Sequence, residues 1–402
     1  MKKVLCTVLA VVMAVVCFAG CSAPAAEGGN EAGGSAASGD TIKVGLLGPY
    51  TGDLAVYGLA VKNGATLYFD KVNAEGGING KKIELISYDN KGDDAEAINA
   101  FNREVDEGIT AFIGDVITSN TIAVAGEANA VNMPMITASA TAEAVTVNPD
   151  DGSVYTNVFR TCFIDPFQGA GAADYALKEL KAKSAAMLIE VTEDYSVGLG
   201  NFFKQNFTKN GGKIVSVMNY QKGDQDFTAQ LTEIISKKPD VLYIPANFAE
   251  GAIIMRQARE LGAKFSILGG DAMDNPEMVK IGGDSVEGFS YTTFAYSPNM
   301  AEKLMSPIQK QFTAQWRKAF PGKDPAALTG CGYDAYLLIY NAIKSAKSTD
   351  PAKITAAIAS TKDMPGVTGT TTINKTHDAE KSVGIIKIEK GKQVFHAIVN
   401  PK

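Results

Sequence analysis

From Ala111 to Glu143 the chain runs A-F-I-G-D-V, then I-T-S-N-T, then an alanine-rich stretch, then P-M-I-T-A-S-A-T-A-E. No other segment restricts the fold as much. Ala111 to Val116 and Pro134 to Thr137 are apolar runs of strand length, and the segment between them, with Ala123, Ala125, Ala128 and Ala130, has helical composition and length. The pattern predicts a strand, a helix and a parallel strand. Each strand leads into small hydroxyls: Thr118, Ser119 and Thr121 after the first, and Thr137, Ser139 and Thr141 around the second. In a parallel sheet both clusters lie at the carboxyl edge, where helices begin and backbone N–H groups point outward. One hydroxyl per helix serves as an N-cap. Two clusters on neighbouring strands exceed that need and suit a small anion.

The same alternation extends on both sides. Ile42 to Leu47 and Lys82 to Tyr88 read as strands, separated by a helix with Val61, Ala65, Tyr68 and Val72 on one face and a stop at Gly76-Gly77-Ile78-Asn79-Gly80. A helix follows from Asp94 to Glu107. Val158 to Phe163 interrupts the rhythm, which then restarts with strands at Ala185 to Val191, Lys213 to Asn219, Val241 to Ala246 and Phe265 to Leu268, and helices between them. The fold class expected is therefore α/β, with two doubly wound parallel-sheet lobes. About 360 residues follow the N-terminal segments, more than one core usually holds. In the tail, a helix carrying Leu304, Ile308, Phe312 and Trp316, a helix from Tyr333 to Ala346, a short strand near Val367 to Ile373 and a hairpin around Gly391 are too few strands for a third sheet. The helices are assigned to the first lobe and the hairpin to the second, giving 41–161 plus 292–367 and 162–291 plus 368–402, with three crossings between lobes.

The N-terminus reads as an address. Met1-Lys2-Lys3, an apolar run from Val4 to Phe18, and Ala19-Gly20 before Cys21 have the layout of a cleaved export signal at 1–20. The run is shorter than the ~20 residues that a membrane span needs. The small pair before Cys21 resembles a bacterial lipoprotein box, with Phe18 where Leu is commoner, which would place a diacylglycerol on the Cys21 sulfur. Residues 21–40 are mostly Ala, Gly, Ser and Glu, a tether composition that would span on the order of 25 Å as a flexible coil. The net charge of −6, with no basic block, argues against a nucleic-acid partner. Cys162 and Cys331 are the only cysteines beyond the tether, and whether they pair is open at this point.

Catalytic patterns are sparse. His377 and His396 are the only histidines, no phosphate-binding glycine loop occurs, and Gly283 to Gly288 is one residue too long for a nucleophile elbow. No cofactor is expected. A secreted hydrolase using Ser285 and His377 is a remote alternative. Asp271, in Leu268-Gly269-Gly270-Asp271 at the end of a strand, is the most informative charge. The next helix begins at Pro276, so Asp274 or Asn275 caps it and Asp271 is left to face an interlobe cleft. Tyr57, Tyr195 and Phe248 each adjoin a strand end. An anion edge on one lobe, a carboxylate on the other and these rings outline a pocket for a zwitterion with an apolar tail.

At this point the chain resembles the periplasmic leucine/isoleucine/valine-binding proteins, the type I solute receptors of ABC importers. The matching landmarks, in order, are Ile42-Lys43-Val44-Gly45, Tyr57-Gly58, Gly76 to Gly80, Ile113-Gly114, Ile136 to Thr141, Arg256-Gln257-Ala258-Arg259 and Gly269-Gly270-Asp271. The resemblance implies a non-catalytic receptor for a small aliphatic or branched-chain amino acid, with permease subunits as partners. It also implies residue roles. Thr118 and Ser119 would hold the ligand's carboxylate, Ser139, Ala140 and Thr141 its carboxylate and ammonium side, and Asp271 the ammonium, where relatives carry Glu. Tyr57 and Tyr195 match the aromatic walls, and an aromatic expected near Asn247 is read as Phe248. The family's loop cysteine pair is absent. A lipid-anchored, monomeric receptor outside the membrane of a Gram-positive cell is the expectation, and the same fold taking an amide, urea-like or aromatic-acid solute is the alternative.

Overall fold

The computed structural model describes residues 41–399. The expected signal at 1–20, tether at 21–40, lipidated Cys21 and final residues 400–402 lie outside the described residues. The strands are β1 (Ile42–Gly48), β2 (Ile83–Asp89), β3 (Ala111–Ile113), β4 (Met135–Thr137), β5 (Val158–Arg160), β6 (Ser184–Glu190), β7 (Lys213–Tyr220), β8 (Val241–Ile244), β9 (Ser266–Gly269), β10 (Ser290–Phe294), β11 (Val383–Glu389) and β12 (Lys392–Val399). The helices are α1 (Ala55–Ala74), α2 (Asp94–Asp106), α3 (Thr118–Ala130), α4 (Asp165–Lys178), α5 (Asp194–Lys209), α6 (Thr228–Ser236), α7 (Phe248–Glu260), α8 (Pro276–Gly282), α9 (Pro307–Ala319), α10 (Ala327–Ala346) and α11 (Pro351–Ala359).

Two sheets form. The first has five parallel strands in the order β2-β1-β3-β4-β5. The second has seven in the order β12-β11-β10-β9-β8-β6-β7, parallel except where β11 pairs antiparallel with β10 and with β12. The short inner strands β3, β4 and β8 are buried on both faces, as parallel sheets require, while the edge strands β2, β7 and β12 are partly exposed. Successive residues alternate faces. In the first sheet Ala111, Ile113 and Ile136 pack with Val61, Ala65, Tyr336 and Ile339, whereas Phe112 and Met135 pack with Phe101, Val124 and Ala128. In the second, Ala185, Met187 and Tyr243 meet Leu199, Phe203 and Phe207, while Ala186, Leu188 and Leu242 meet Leu231, Ile254 and Met255. The close crossing of α1 and α10 depends on Gly64 and Gly332, where an added Cβ would strike the carbonyl of Thr329 or Val61.

The connecting segments differ most from expectation. β5 supplies the fifth strand of the first sheet, so the interruption in rhythm is an edge strand followed by a crossing. β10 stays in the second sheet as far as Phe294, so the crossing expected at 291/292 comes after that strand. Leu304 does not belong to α9: Ser306 and Gln309 form a reciprocal capping box and Pro307 opens the helix, leaving Leu304 60% exposed. α11 was not expected, although Asp350-Pro351 marks its start and Asp350 accepts from the Lys353 amide. No strand forms near Val367 to Ile373. Instead the buried Asp334 carboxylate accepts the amides of Val367 and Thr368, at 2.6 and 2.8 Å, and pairs with the buried Lys381 ammonium.

The three crossing segments pack against one another. Phe163 stacks on Phe294 with centroids 4.5 Å apart, Phe159 stacks on His377 at 4.2 Å, and Arg160 Nε pairs with Asp378 Oδ1 at 2.6 Å. Among the described residues no helix is long and apolar enough to cross a membrane.

Candidate functional site

The carboxyl edge of the first sheet is tied together before any ligand arrives. Thr137 Oγ1 donates to the Asp115 carbonyl at 2.7 Å and accepts from the Ala140 amide at 3.1 Å, and Ser139 Oγ donates to the Val116 carbonyl at 2.9 Å. The Asp115 carboxylate takes the amides of Val116 and Ile117 and the side-chain amide of Asn90. Burial pushes its pKa up to about 7 against those donors. Several hydroxyls read in sequence as anion donors are therefore loop fasteners, and Thr121 likewise donates back to Ile117 at 2.7 Å.

What this scaffold exposes is the start of α3. Its N-cap is Ile117, whose side chain accepts nothing, so the first-turn N–H groups have no side-chain cap. A 13-residue helix ending in this way favours an anion. Thr118 and Ser139 line the cavity in front of it. Ser119 is half-buried in the first turn and outside the lining, and Ala140 and Thr141 are wholly buried behind it, where the Thr141 carbonyl accepts the Asp165 amide at 3.0 Å.

Asp271 lies opposite, just past β9. Gly270 precedes it because a Cβ there would collide with the Tyr195 hydroxyl. That hydroxyl donates to Asp271 Oδ1 at 2.9 Å, and Gln168 Nε2 donates to the same oxygen at 2.7 Å while also reaching Thr292 Oγ1 at 2.8 Å. Burial raises the Asp271 pKa to about 6, opposed by those two donors. Asn275, as expected, caps α8 and leaves Asp271 to the cavity.

A cavity of about 50 Å³ lies between the sheets and opens to solvent. Tyr57, Val116, Ile117, Ala272 and Leu328 give it apolar surface, and Thr118, Ser139, Glu193, Tyr195, Asn247 and Asp271 its polar groups. Tyr57, Thr118, Ser139, Tyr195 and Asp271, drawn from four separate stretches of sequence, are thus brought together. Phe248 is not part of the lining. It stands edge-on behind Tyr57, centroids 5.7 Å apart, and Asn247 takes the cavity position.

Sequence reasoning missed Gln168, Glu193, Asn247 and Leu328. Gln168 lies in the helical segment that follows the break in rhythm and Leu328 in the tail, and neither carries a local sequence signal. Glu193 belongs to the acidic lead-in to α5, where a carboxylate reads as a cap, yet its side chain makes no cap hydrogen bond. Ser285 and His377 do not line the cavity, and the His377 Nδ1 is engaged with the Val158 carbonyl at 3.1 Å. Cys162 and Cys331 are both buried free thiols. Among the described residues there is no cluster of metal ligands.

Residues 41–393 match the family described as periplasmic binding protein. The chain is 35% identical to the Leu/Ile/Val-binding protein BraC3 of Rhizobium johnstonii over 88% of its length and 93% of that protein's. Among solved structures, a leucine binding protein, LivK, from Thermotoga maritima superposes with a TM-score of 0.83 at 38% identity, covering 90% of this chain and 99% of that one. The branched-chain amino acid transporter substrate binding protein LivJ from Streptococcus pneumoniae, solved in complex with isoleucine, gives 0.80 at 30% identity, covering 89% and 99%. The two-sheet body has the type I periplasmic binding protein fold, and the chain belongs to the periplasmic binding protein family of extracytoplasmic solute receptors.

Proposed function

We propose that this protein is the solute receptor of an ABC importer and that it takes a small, branched-chain or aliphatic α-amino acid into the cavity between its two sheets. The observation that carries this reading is the opposition of an uncapped helix start, beside Thr118, to the carboxylate of Asp271 across one cavity. The α-carboxylate is held by the first turn of α3, with Thr118 as the side-chain donor and Ser139 beside it, while Ser119, Ala140 and Thr141 shape the edge from behind. The α-ammonium is held by Asp271. Tyr57 and Tyr195 form the aromatic walls, and Phe248 supports Tyr57 from behind. Charge-assisted hydrogen bonds at the two poles contribute ~1.5–3 kcal/mol each.

Mechanism follows from that division. Lobe one (41–161 plus 295–367) carries the anion edge and lobe two (162–294 plus 368–402) the carboxylate, so a zwitterion binds the closed form better than the open one and shifts the population toward it. The closed form is what permease subunits would read. The protein acts without catalysis, as a monomer, held at the outer face of the membrane by a lipid on Cys21 after removal of a signal at 1–20, as suits a Gram-positive cell.

Mass spectrometry of the small molecule carried through a native purification, with a thermal-shift screen of the twenty amino acids, tests the reading. A bound branched-chain or aliphatic amino acid that raises Tm is the expected result. Silence from all aliphatic amino acids, with a shift from an amide, urea-like or aromatic acid, contradicts it.

A further inference from the structure

Glu193 immediately precedes α5 and is 91% buried, with 9% of its surface exposed. It lines the cavity, and its Oε1 has no hydrogen-bond partner among the described residues. A buried carboxyl oxygen without a partner is costly to keep and points to a missing one. Asn247 borders the same cavity at the N-cap of α7, where its side chain makes no cap hydrogen bond. These two polar groups come from one lobe and from adjoining strands, because β6, which leads to Glu193, neighbours β8, which leads to Asn247.

We propose that Glu193 and Asn247 form a polar wall that reads the ligand's side chain, so that among amino acids of branched size the site favours one bearing a hydroxyl over one that is wholly aliphatic. This rests on the amino-acid reading above and refines it. Asp271 and Glu193 serve different ends of the guest. Asp271 is fixed by Tyr195 and Gln168, and the like charge it feels most is Asp274, whereas the charges felt most by Glu193 are Glu190, Asp194 and Lys222. Burial and the neighbouring Glu190 push Glu193 up to about 7, so near neutrality its carboxyl is able either to accept from a hydroxyl or to donate to one. Asn247 offers both roles through its amide. The remaining surface, from Val116, Ile117, Ala272 and Leu328, has the apolar character that suits a branched methyl. A site that pairs with a hydroxyl rejects the analogue lacking it far better than a purely apolar pocket rejects the hydroxyl.

Threonine and valine are isosteric and differ in one hydroxyl for one methyl, so they are the probes. Titration calorimetry of both against the wild type, Glu193→Leu and Glu193→Gln measures the threonine-to-valine affinity ratio. The expected result is a ratio at least about tenfold lower in Glu193→Leu, one hydrogen bond's worth. Thermal unfolding of each variant verifies the fold. Glu193→Gln, which still donates and accepts, keeps the ratio within about threefold of wild type. A ratio in Glu193→Leu within twofold of wild type, with both ligands still bound, overturns the role of Glu193 and leaves the amino-acid reading standing. A wild-type protein that binds leucine but neither threonine nor valine overturns the hydroxyl preference alone, and one that binds no aliphatic amino acid overturns both.

Discussion

The hydroxyl of Tyr57, on the first lobe, donates to the carbonyl oxygen of Ala272, on the second, at 2.8 Å. The same hydroxyl accepts the Phe248 amide at 3.0 Å. One side chain thus fastens the two lobes at the rim of the cavity, using backbone groups from the turn that carries Asp271 and from the start of α7. Replacing Tyr57 with Phe keeps the ring and leaves a buried N–H and carbonyl without that partner, at about 1–3 kcal/mol. Ligand dissociation measured by stopped-flow should quicken by roughly ten- to a hundredfold, with the association rate little changed. An unchanged dissociation rate contradicts the latch.

The raised pKa of Asp271 sets a pH dependence. The ammonium of the ligand requires the ionised carboxylate, and without ligand the group is half-protonated at about 6. Affinity for leucine should therefore fall as pH falls through that value, by roughly twentyfold between pH 6.5 and pH 4.5. Glu193, at about 7, titrates mainly above this window. Calorimetry at the two pH values decides, and a flat profile counts against Asp271 as the ammonium ligand.

Gln168 positions Asp271 and does not line the cavity. Its donor lowers the pKa of that carboxylate, so Gln168→Leu should move the midpoint of the acid-side affinity loss upward in pH as well as weakening binding. A merely structural role would weaken binding without moving the midpoint.

Fully buried acids away from the ligand govern the stability of the apo protein. Asp165 is pushed up to about 8 and Asp115 to about 7, chiefly by burial. Both folded-state values lie above the unfolded value, so the folded chain holds protons that the unfolded chain releases. The resulting stability is fully present below about pH 4 and is lost as pH rises toward 7 or 8, at up to about 1.4 kcal/mol per pH unit for each group. Thermal unfolding at pH 5 and pH 8 should show the decline. Asp165→Asn should make the decline smaller, and an identical slope would refute the assignment.

The fold was legible because its strands are short apolar runs separated by helices with clear stops, which leaves few topologies. The hydroxyl clusters and Gly269-Gly270-Asp271 pointed to sheet edges that meet at one cavity, lined by Thr118, Ser139 and Asp271. What was not legible depended on direction or long-range partners. Sequence does not tell whether Ser139 or Thr141 turns toward the cavity, or that Phe248 backs Tyr57 while Asn247 lines the cavity. Gln168 and Glu193 became visible only once α4 and α5 were packed beside β9. The failed strand near Val367 has the same cause, because a buried carboxylate at Asp334, far away in sequence, satisfies backbone amides that a sheet would otherwise take.

The claim on which the rest depends is that Asp271 holds one pole of a zwitterion whose other pole rests on α3. Leucine affinity by titration calorimetry, wild type against Asp271→Ala, with thermal unfolding to verify the fold, tests it most directly. A loss of at least a hundredfold, about 3 kcal/mol, is predicted for a paired charge removed from a buried site. Affinity within twofold of wild type in a folded variant would contradict it.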